Sequence, residues 1–238
     1  MTASIFIGAN SDIAQSTLKK MTERTVFLLT REPSKITPIS DKHTVIQCDP
    51  CDLDQVNQCF SSIAEENSIQ SVVNFCGSIL LKPAGMLNAK EWNNTIAINL
   101  NTAFNVAHAT AKWIKKNCGV VFISTAAASL GLPNHEAIAA AKAGVEGLSR
   151  SFAASYAAQG IRSNVVAPGL IETKLSQSIV GSDRGKNLSL SLHGLDRLGQ
   201  PEDVARLVEW LIQPSNNWVT GEVFRVDGGL STVKSYPK

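Results

Sequence analysis

The sequence lacks the features that would place the protein in a membrane or on nucleic acid. None of its apolar runs approaches the roughly 18 residues that a membrane span needs. Its first residues lack the basic flank and cleavage site of a signal peptide. The 22 basic and 20 acidic residues leave a net charge of +2, which favours neither nucleic acid nor an anionic membrane as a partner. We therefore expect a cytoplasmic protein that acts on a small molecule.

A paired set of cysteines is also missing. The five cysteines are odd in number and scattered along the chain, which is typical of reduced thiols in a cytoplasm: Cys48, Cys51, Cys59, Cys76 and Cys118. The spacing Cys48-x-x-Cys51, with His43 nearby, could serve a zinc or redox site. A structural zinc site needs a second ligand pair at defined spacing, and the sequence offers none. We predict no metal.

What the sequence does contain is an alternation of short apolar strands and longer helices. The chain of 238 residues is 44% hydrophobic and 18% charged, so it can bury one sizeable core, and we expect a single domain over 1–238. Strand–helix alternation indicates a parallel sheet with helices on both faces. The predicted strands cover 4–7, 26–29, 44–47, 71–74, 119–123, 161–169 and 219–229, and the longer predicted helices cover 53–66, 89–117, 136–158 and 201–213.

The chain is organised around residues 124–142, where an apolar strand leads through a loop into an alanine-rich helix. This stretch resembles the active-site unit of the short-chain dehydrogenase/reductase family. That family carries Ser, then Tyr thirteen residues later, then Lys four beyond. Ungapped counting gives Thr125, Ile138 and Lys142. The hydroxyl and the lysine are kept, and the resemblance is to a divergent member without the tyrosine.

The resemblance covers residues 3–231 and implies a fold, a partner and a cofactor. The fold is a Rossmann-type doubly wound sheet of seven parallel strands in the order 3-2-1-4-5-6-7. The implied partner is a second copy of the chain, because the family pairs its two longest helices in dimers and tetramers. The implied cofactor is NADP, with NAD less favoured.

The first turn is a glycine-poor version of the family's T-G-x-x-x-G-x-G, of which only the first glycine remains. A helix start offers free N–H groups to a pyrophosphate, although a plain strand–turn–helix would look the same. Asp12 can cap the helix, but it also places a carboxylate near the phosphates. The candidate cofactor contacts here are Gly8, Asn10, Ser11, Asp12 and Ile13.

Residues after the second and third strands would meet the adenosine half. NAD sites place an acid after the second strand, whereas an arginine accommodates the 2′-phosphate of NADP. Thr30 occupies the acid's place and Arg31 follows it, which favours NADP, unless Arg31 is an ordinary solvated residue. Asp49 resembles the family's adenine-binding aspartate, or it is a helix-start residue. Asp52 is a helix cap.

Other family motifs correspond to residues that the resemblance places around the nicotinamide half of the cofactor. The family's N-N-A-G becomes N-F-C-G at 74–77, and P-G-x-x-x-T is kept at 168–173. Asn99 matches the asparagine that interrupts a helix and holds a water beside the lysine. Residues 174–195 are polar and patternless, and we expect a substrate loop over about 174–198. The candidate contacts are Asn74, Gly77, Lys142, Pro168, Gly169, Ile171 and Thr173.

The candidate catalytic residues are Asn99, Thr125, His135 and Lys142. In the family the serine hydroxyl holds a carbonyl, the lysine binds the nicotinamide ribose, and the tyrosine supplies a proton. His135 lies seven residues before Lys142, the separation of tyrosine and lysine in the related enoyl reductases, and histidine donates protons near neutral pH. A solvent-facing loop histidine is the alternative.

Two functions follow from these residues. The first is an NADP-dependent oxidoreductase for a small carbonyl, alcohol or enoyl compound, with His135 or an ordered water as an atypical proton donor. The second is a cofactor-binding partner subunit that has no hydride chemistry.

Overall fold

Seven parallel strands form one sheet in the order β3-β2-β1-β4-β5-β6-β7. The computed structural model describes residues 2–234, so residues 1 and 235–238 of the predicted domain lie outside the described part. The strands are β1 (Thr2–Ile7), β2 (Thr25–Thr30), β3 (His43–Gln47), β4 (Ser68–Asn74), β5 (Gly119–Ile123), β6 (Arg162–Pro168) and β7 (Val223–Val226). The predicted fold class and strand order are confirmed.

The described part of the chain contains eight α-helices. They are α1 (Asp12–Leu18), α2 (Leu53–Glu66), α3 (Ala89–Ile96), α4 (Thr102–Trp113), α5 (Glu136–Tyr156), α6 (Gln177–Val180), α7 (Asp183–Leu192) and α8 (Pro201–Leu211). The α2 helix spans the predicted residues and is capped by Asp52, whose carboxylate accepts from two backbone N–H groups, as expected.

Apolar side chains on both faces of the strands explain why helices cover both sides. Within β1, Ile5 and Ile7 pack with residues of α2, α4 and α5, among them Phe60 and Phe152. Phe6, between them, packs in a second core with residues of α1 and α8. Successive strand residues point to opposite faces, so a fully apolar strand is stable only between two helical layers.

The strands end level with one another on one edge. Ile7 is aligned with Leu29 on β2 and with Asn74 on β4, and Asn74 is aligned with Phe122 on β5. The loops that follow these strands therefore emerge side by side, and the residues predicted to bind cofactor or substrate are brought to one edge.

The structure corrects the predicted long helix over 89–117. A five-residue π-turn, Ala97–Asn101, separates α3 from α4, and α4 ends at Trp113. Asn99 lies inside this turn and is buried. Short π segments of this kind are frequent at functional sites.

Two further predictions of local structure are wrong. Residues 174–195 are not a plain loop but contain α6 and α7. Ser182 caps α7 through its hydroxyl, and the leucines at 188 and 192 share one helical face. The last strand begins at Val223 rather than at Val219, because the carbonyl of Val219 accepts hydrogen bonds from the Arg162 and Asn164 side chains.

Gly119 provides a test of how tightly the sheet end is packed. A Cβ at this position would lie 2.7 Å from Nη2 of Arg162, and that guanidinium is held by the carbonyls of Leu211 and Val219. We expect Gly119→Ala to lower the free energy of unfolding by about 1–3 kcal/mol, since the arginine must break these bonds to move. Urea denaturation followed by tryptophan fluorescence measures the change.

Gly131→Ala is the matched control. A Cβ at Gly131 meets no atom within 4 Å, so its effect should stay within about 0.5 kcal/mol. Equal stabilities for the two variants would contradict the proposed packing constraint.

Candidate active site

A cavity of about 1030 Å³ opens along the carboxyl edge of the sheet. It includes residues that follow β1 and β4, the neighbouring strands whose connections leave in opposite directions. The place where the strand order reverses in this way is a topological switch point, and doubly wound sheets bind their ligands there. Fifteen of the predicted site residues line the cavity: Gly8, Asn10, Ser11, Asp12, Ile13, Arg31, Gly77, Asn99, Thr125, His135, Lys142, Pro168, Gly169, Ile171 and Thr173.

Two predicted site residues lie outside the cavity lining. Asn74 is buried at the end of β4, where its side-chain oxygen accepts from the N–H of Cys76 at 3.0 Å. Asp49 accepts from the N–H of Cys51 at 3.0 Å. Both side chains therefore shape loops beside the cavity, and their contribution to a ligand would be indirect.

The turn after β1 requires glycine at its first position. Gly8 has φ of +70°, and a Cβ there would lie 2.9 Å from both the backbone nitrogen and Sγ of Cys76. Ser11 rather than Asp12 caps α1, since its hydroxyl accepts from the N–H of Ala14 at 3.1 Å. The N–H groups of Asp12 and Ile13 belong to the first turn of α1, where backbone donors have no partner inside the helix.

Asp12 directs its carboxylate across the cavity to residue 174. Oδ2 accepts from the backbone N–H of Lys174 at 2.7 Å, and Oδ1 lies 3.6 Å from Nζ of the same residue. This contact was not predictable from a local pattern, because 162 positions separate the two residues. The turn that would hold phosphates is therefore bonded to the segment after Thr173.

Lys142 is the buried cation of the site. Its Nζ donates to the carbonyls of Ile123 at 2.8 Å and Cys76 at 3.2 Å. Burial lowers the pKa of Lys142 to about 8, although the nearby Cys76 thiol acts weakly in the opposite direction. The lysine is therefore still mainly charged at neutral pH, with one N–H left for another partner.

Asn99 fixes the loop beside this lysine. Its Nδ2 donates to Oγ of Ser78 at 2.9 Å and to the carbonyl of Thr95 at 3.0 Å, while its Oδ1 accepts from the N–H of Ser78 at 3.1 Å. A Cβ on Gly77 would lie 3.4 Å from Oδ1 of Asn99 and 3.5 Å from Nζ of Lys142. Because Gly77 has no side chain, the amide of Asn99 and the ammonium of Lys142 can both lie close to its backbone.

Thr125, Ile138 and His135 all line this cavity. Oγ1 of Thr125 accepts one long bond, 3.4 Å, from the N–H of Ala127, which leaves its hydrogen free to donate. Ile138 is buried one turn before Lys142 on α5 and offers no proton. Nδ1 of His135 lies 2.7 Å from the carbonyl of Pro133. A carbonyl only accepts, so Nδ1 carries a hydrogen and Nε2 is left for the cavity.

At the far ends of the cavity lie residues that the sequence did not single out. Lys35 joins Arg31 after β2, and it pairs there with Glu32 of the same lining at 2.8 Å. Side chains from residues 174–195 make the opposite end apolar; they include Leu175, Ile179, Leu188 and Leu192. The i, i+4 spacing of Leu188 and Leu192 was the sequence feature that indicated an apolar helical face here. Ser78 follows the N-F-C-G motif directly, and its contact with Asn99 was not visible in the sequence.

The described residues contain no group of three or more His, Cys, Asp or Glu side chains placed to hold a metal ion. Within 2–234, no helix combines the length and apolar character required to cross a bilayer. All five cysteines are free thiols, and burial raises the pKa of Cys76 to about 12, so this thiol beside the phosphate turn is protonated at neutral pH.

Known proteins resemble this chain in sequence over most of its length. The family model described as enoyl-(acyl carrier protein) reductase matches residues 9–231. The 3-oxoacyl-(acyl-carrier-protein) reductase FabG of Thermotoga maritima is 32% identical over 184 residues, 75% of this chain and 73% of that protein. FabG of Salmonella typhimurium is 33% identical over 172 residues, 71% of this chain and 70% of that protein.

Solved structures agree with this relationship. Aldohexose dehydrogenase of Thermoplasma acidophilum is 28% identical, with a TM-score of 0.87 over 100% of this chain and 97% of that chain. ElxO with NADP bound is 25% identical, with a TM-score of 0.87 over 96% of this chain and 98% of that chain. Together, the family model, the relatives and the site geometry show that this chain belongs to the short-chain dehydrogenase/reductase family of oxidoreductases.

Proposed function

We propose that the protein is an NADP-dependent oxidoreductase that acts on a small carbonyl, alcohol or enoyl compound with His135 as its proton donor. The observation that carries the proposal is the cavity itself, which brings a free threonine hydroxyl, a buried lysine and a glycine turn to one sheet edge. The names of the FabG relatives support a carbonyl substrate, and the NADP in the ElxO structure supports the cofactor.

The residues of the cleft fit a dinucleotide. The turn at Gly8 excludes a side chain and lets a ligand approach the backbone. Arg31 lines the β2 end of the cavity, where its guanidinium suits the additional phosphate of NADP, while Lys35 is paired with Glu32. Gly169, Ile171 and Thr173 would hold the nicotinamide half. When bound, the cofactor supplies or accepts the hydride.

The remaining residues prepare the carbonyl and the proton. Thr125 has a free O–H that can hold a carbonyl oxygen, and the charge of Lys142 favours the negative charge that develops on that oxygen. Because Ile138 has no proton to give, the donor must come from elsewhere in the cavity. His135 can donate from Nε2 when its ring is protonated, since its Nδ1 hydrogen is already engaged by Pro133.

A second copy of this chain is the partner that we propose, in the cytoplasm, where the five free cysteines would stay reduced. The outer face of α5 carries small exposed residues, Ala140, Ala143 and Ala154, and nothing lies within 4 Å of a Cβ on Gly147. Phe104 of α4 is also exposed. Small residues allow two helices to approach closely, so the two faces suit a helical dimer contact.

Arg31→Ala tests the choice of cofactor. The variant should bind NADPH about 10–100-fold more weakly, because it loses charge-assisted bonds to the 2′-phosphate, and NADH about as well as the wild type. Fluorescence titration measures both dissociation constants. Arg24→Ala, at the opposite edge of the sheet, is the matched control, and a similar loss in both variants would refute the role of Arg31.

His135→Gln tests the proton donor. With saturating NADPH and a 3-oxoacyl thioester, kcat should fall about 10²–10⁴-fold, the usual contribution of a general acid, while the dissociation constant of NADPH stays unchanged. His108→Gln, on α4 away from the cavity, controls for loss of a histidine. Unaltered turnover removes His135 from the mechanism, and wild-type NADPH binding without turnover on any carbonyl or enoyl compound favours the non-catalytic subunit.

Lys142 predicts a pH dependence for cofactor binding. Its ammonium is the form that binds an oxygen of the ribose and, with a pKa of about 8, it is lost as the pH rises through that value. The affinity for NADPH should be constant below about pH 7 and fall by at most about tenfold per pH unit above pH 8. Lys142→Met should bind weakly at every pH. A flat wild-type profile from about pH 6 to pH 10 contradicts this role.

A further inference from the structure

The contact between Asp12 and Lys174 joins the phosphate turn to residues 174–198, here termed the lid. The backbone bond of 2.7 Å is the stronger part, because a charged carboxylate accepts it. The ion pair at 3.6 Å is weaker, since 90% of the Lys174 side chain is exposed to solvent. Asp12 stands where the family signature has a glycine, so this fastening depends on a departure from the family pattern.

A second fastening of the lid does not involve the phosphate turn. Glu172 pairs with Lys186 of α7 at 3.2 Å and accepts from Gln200, which precedes α8. Each fastening therefore connects the lid to a different part of the protein. Only the one through Asp12 lies where a dinucleotide would place its phosphates, so the two can be separated by substitution.

A bound dinucleotide would change the electrostatic interactions of the Asp12 carboxylate. Its phosphates bring negative charge into a turn whose own carboxylate is three-quarters buried, and like charges at short range oppose each other. Lys174 is the cation bonded to this turn, and its backbone N–H and ammonium are donors that phosphate oxygens accept well. Asp12 and the phosphates therefore compete for the same donors.

We propose that Asp12 and Lys174 form a latch that holds the lid on the phosphate turn in the cofactor-free protein, and that the phosphates of the dinucleotide replace Asp12 as the partner of Lys174. The lid is then fastened in both states, first to the protein and afterwards to the cofactor. The carboxylate lowers cofactor affinity, and binding is coupled to the position of the lid. The replacement step rests on the proposed function, whereas the fastening does not.

Asp12→Asn and Asp12→Gly test the latch in the full-length protein. The asparagine keeps the size and removes the charge, and the glycine restores the family residue. Both variants should bind NADPH about fivefold more tightly, because the competing charge is gone. Without cofactor, trypsin should cut both more than about fivefold faster after Lys174, Arg184 or Lys186. Saturating NADPH should protect wild type and variants equally. Titration and mass spectrometry of the fragments give the two readouts.

Glu172→Gln is the matched control, because it weakens the other fastening and leaves the turn intact. It should increase lid cleavage without changing the affinity for NADPH. Weaker or unchanged NADPH binding in both Asp12 variants overturns the competition, and unchanged lid cleavage in the cofactor-free variants overturns the fastening. If the wild type binds no NADPH, the proposed cofactor and the replacement step fail together, and the cleavage rates still decide whether the latch exists.

Discussion

The buried ammonium of Lys142 is the constraint around which the site is built. A buried charge is costly unless it is compensated by hydrogen bonds. The carbonyls of Cys76, just after β4, and Ile123, at the end of β5, supply this compensation. Both carbonyls lie at the level carboxyl ends of these neighbouring strands, within reach of the lysine on α5. The lysine consequently fixes the relative positions of β4, β5 and α5, which are the elements that carry the rest of the site.

Ile138, which is buried on α5 one turn before Lys142, gives this part of the site an apolar surface. An isoleucine side chain offers the ammonium no hydrogen-bond partner. An apolar neighbour leaves the ammonium less solvated, which strengthens its interaction with any negative charge on a bound ligand. The site therefore stabilises negative charge strongly but contains few proton donors. The reaction depends on which of these donors can reach the substrate.

The sequence was informative where a local pattern and the final structure coincide. The apolar strands, the α2 helix and its Asp52 cap, and the order of the sheet follow from periodicity, capping and family resemblance. The bond from Asp12 to Lys174 does not, because it joins residues that only the tertiary fold brings together. The start of β7 was misplaced for the same reason, since distant side chains occupy the carbonyl of Val219.

The π-turn at 97–101 also determines where the chain tolerates changes in length. One residue of an α-helix corresponds to about 100° of rotation. Deleting a residue here would restore a regular helix but would turn α4 relative to α3, moving Asn99 away from Ser78 or Val106 out of the core. The same deletion in an exposed loop would be absorbed locally. In evolution, this turn should therefore keep its length even where its residues vary.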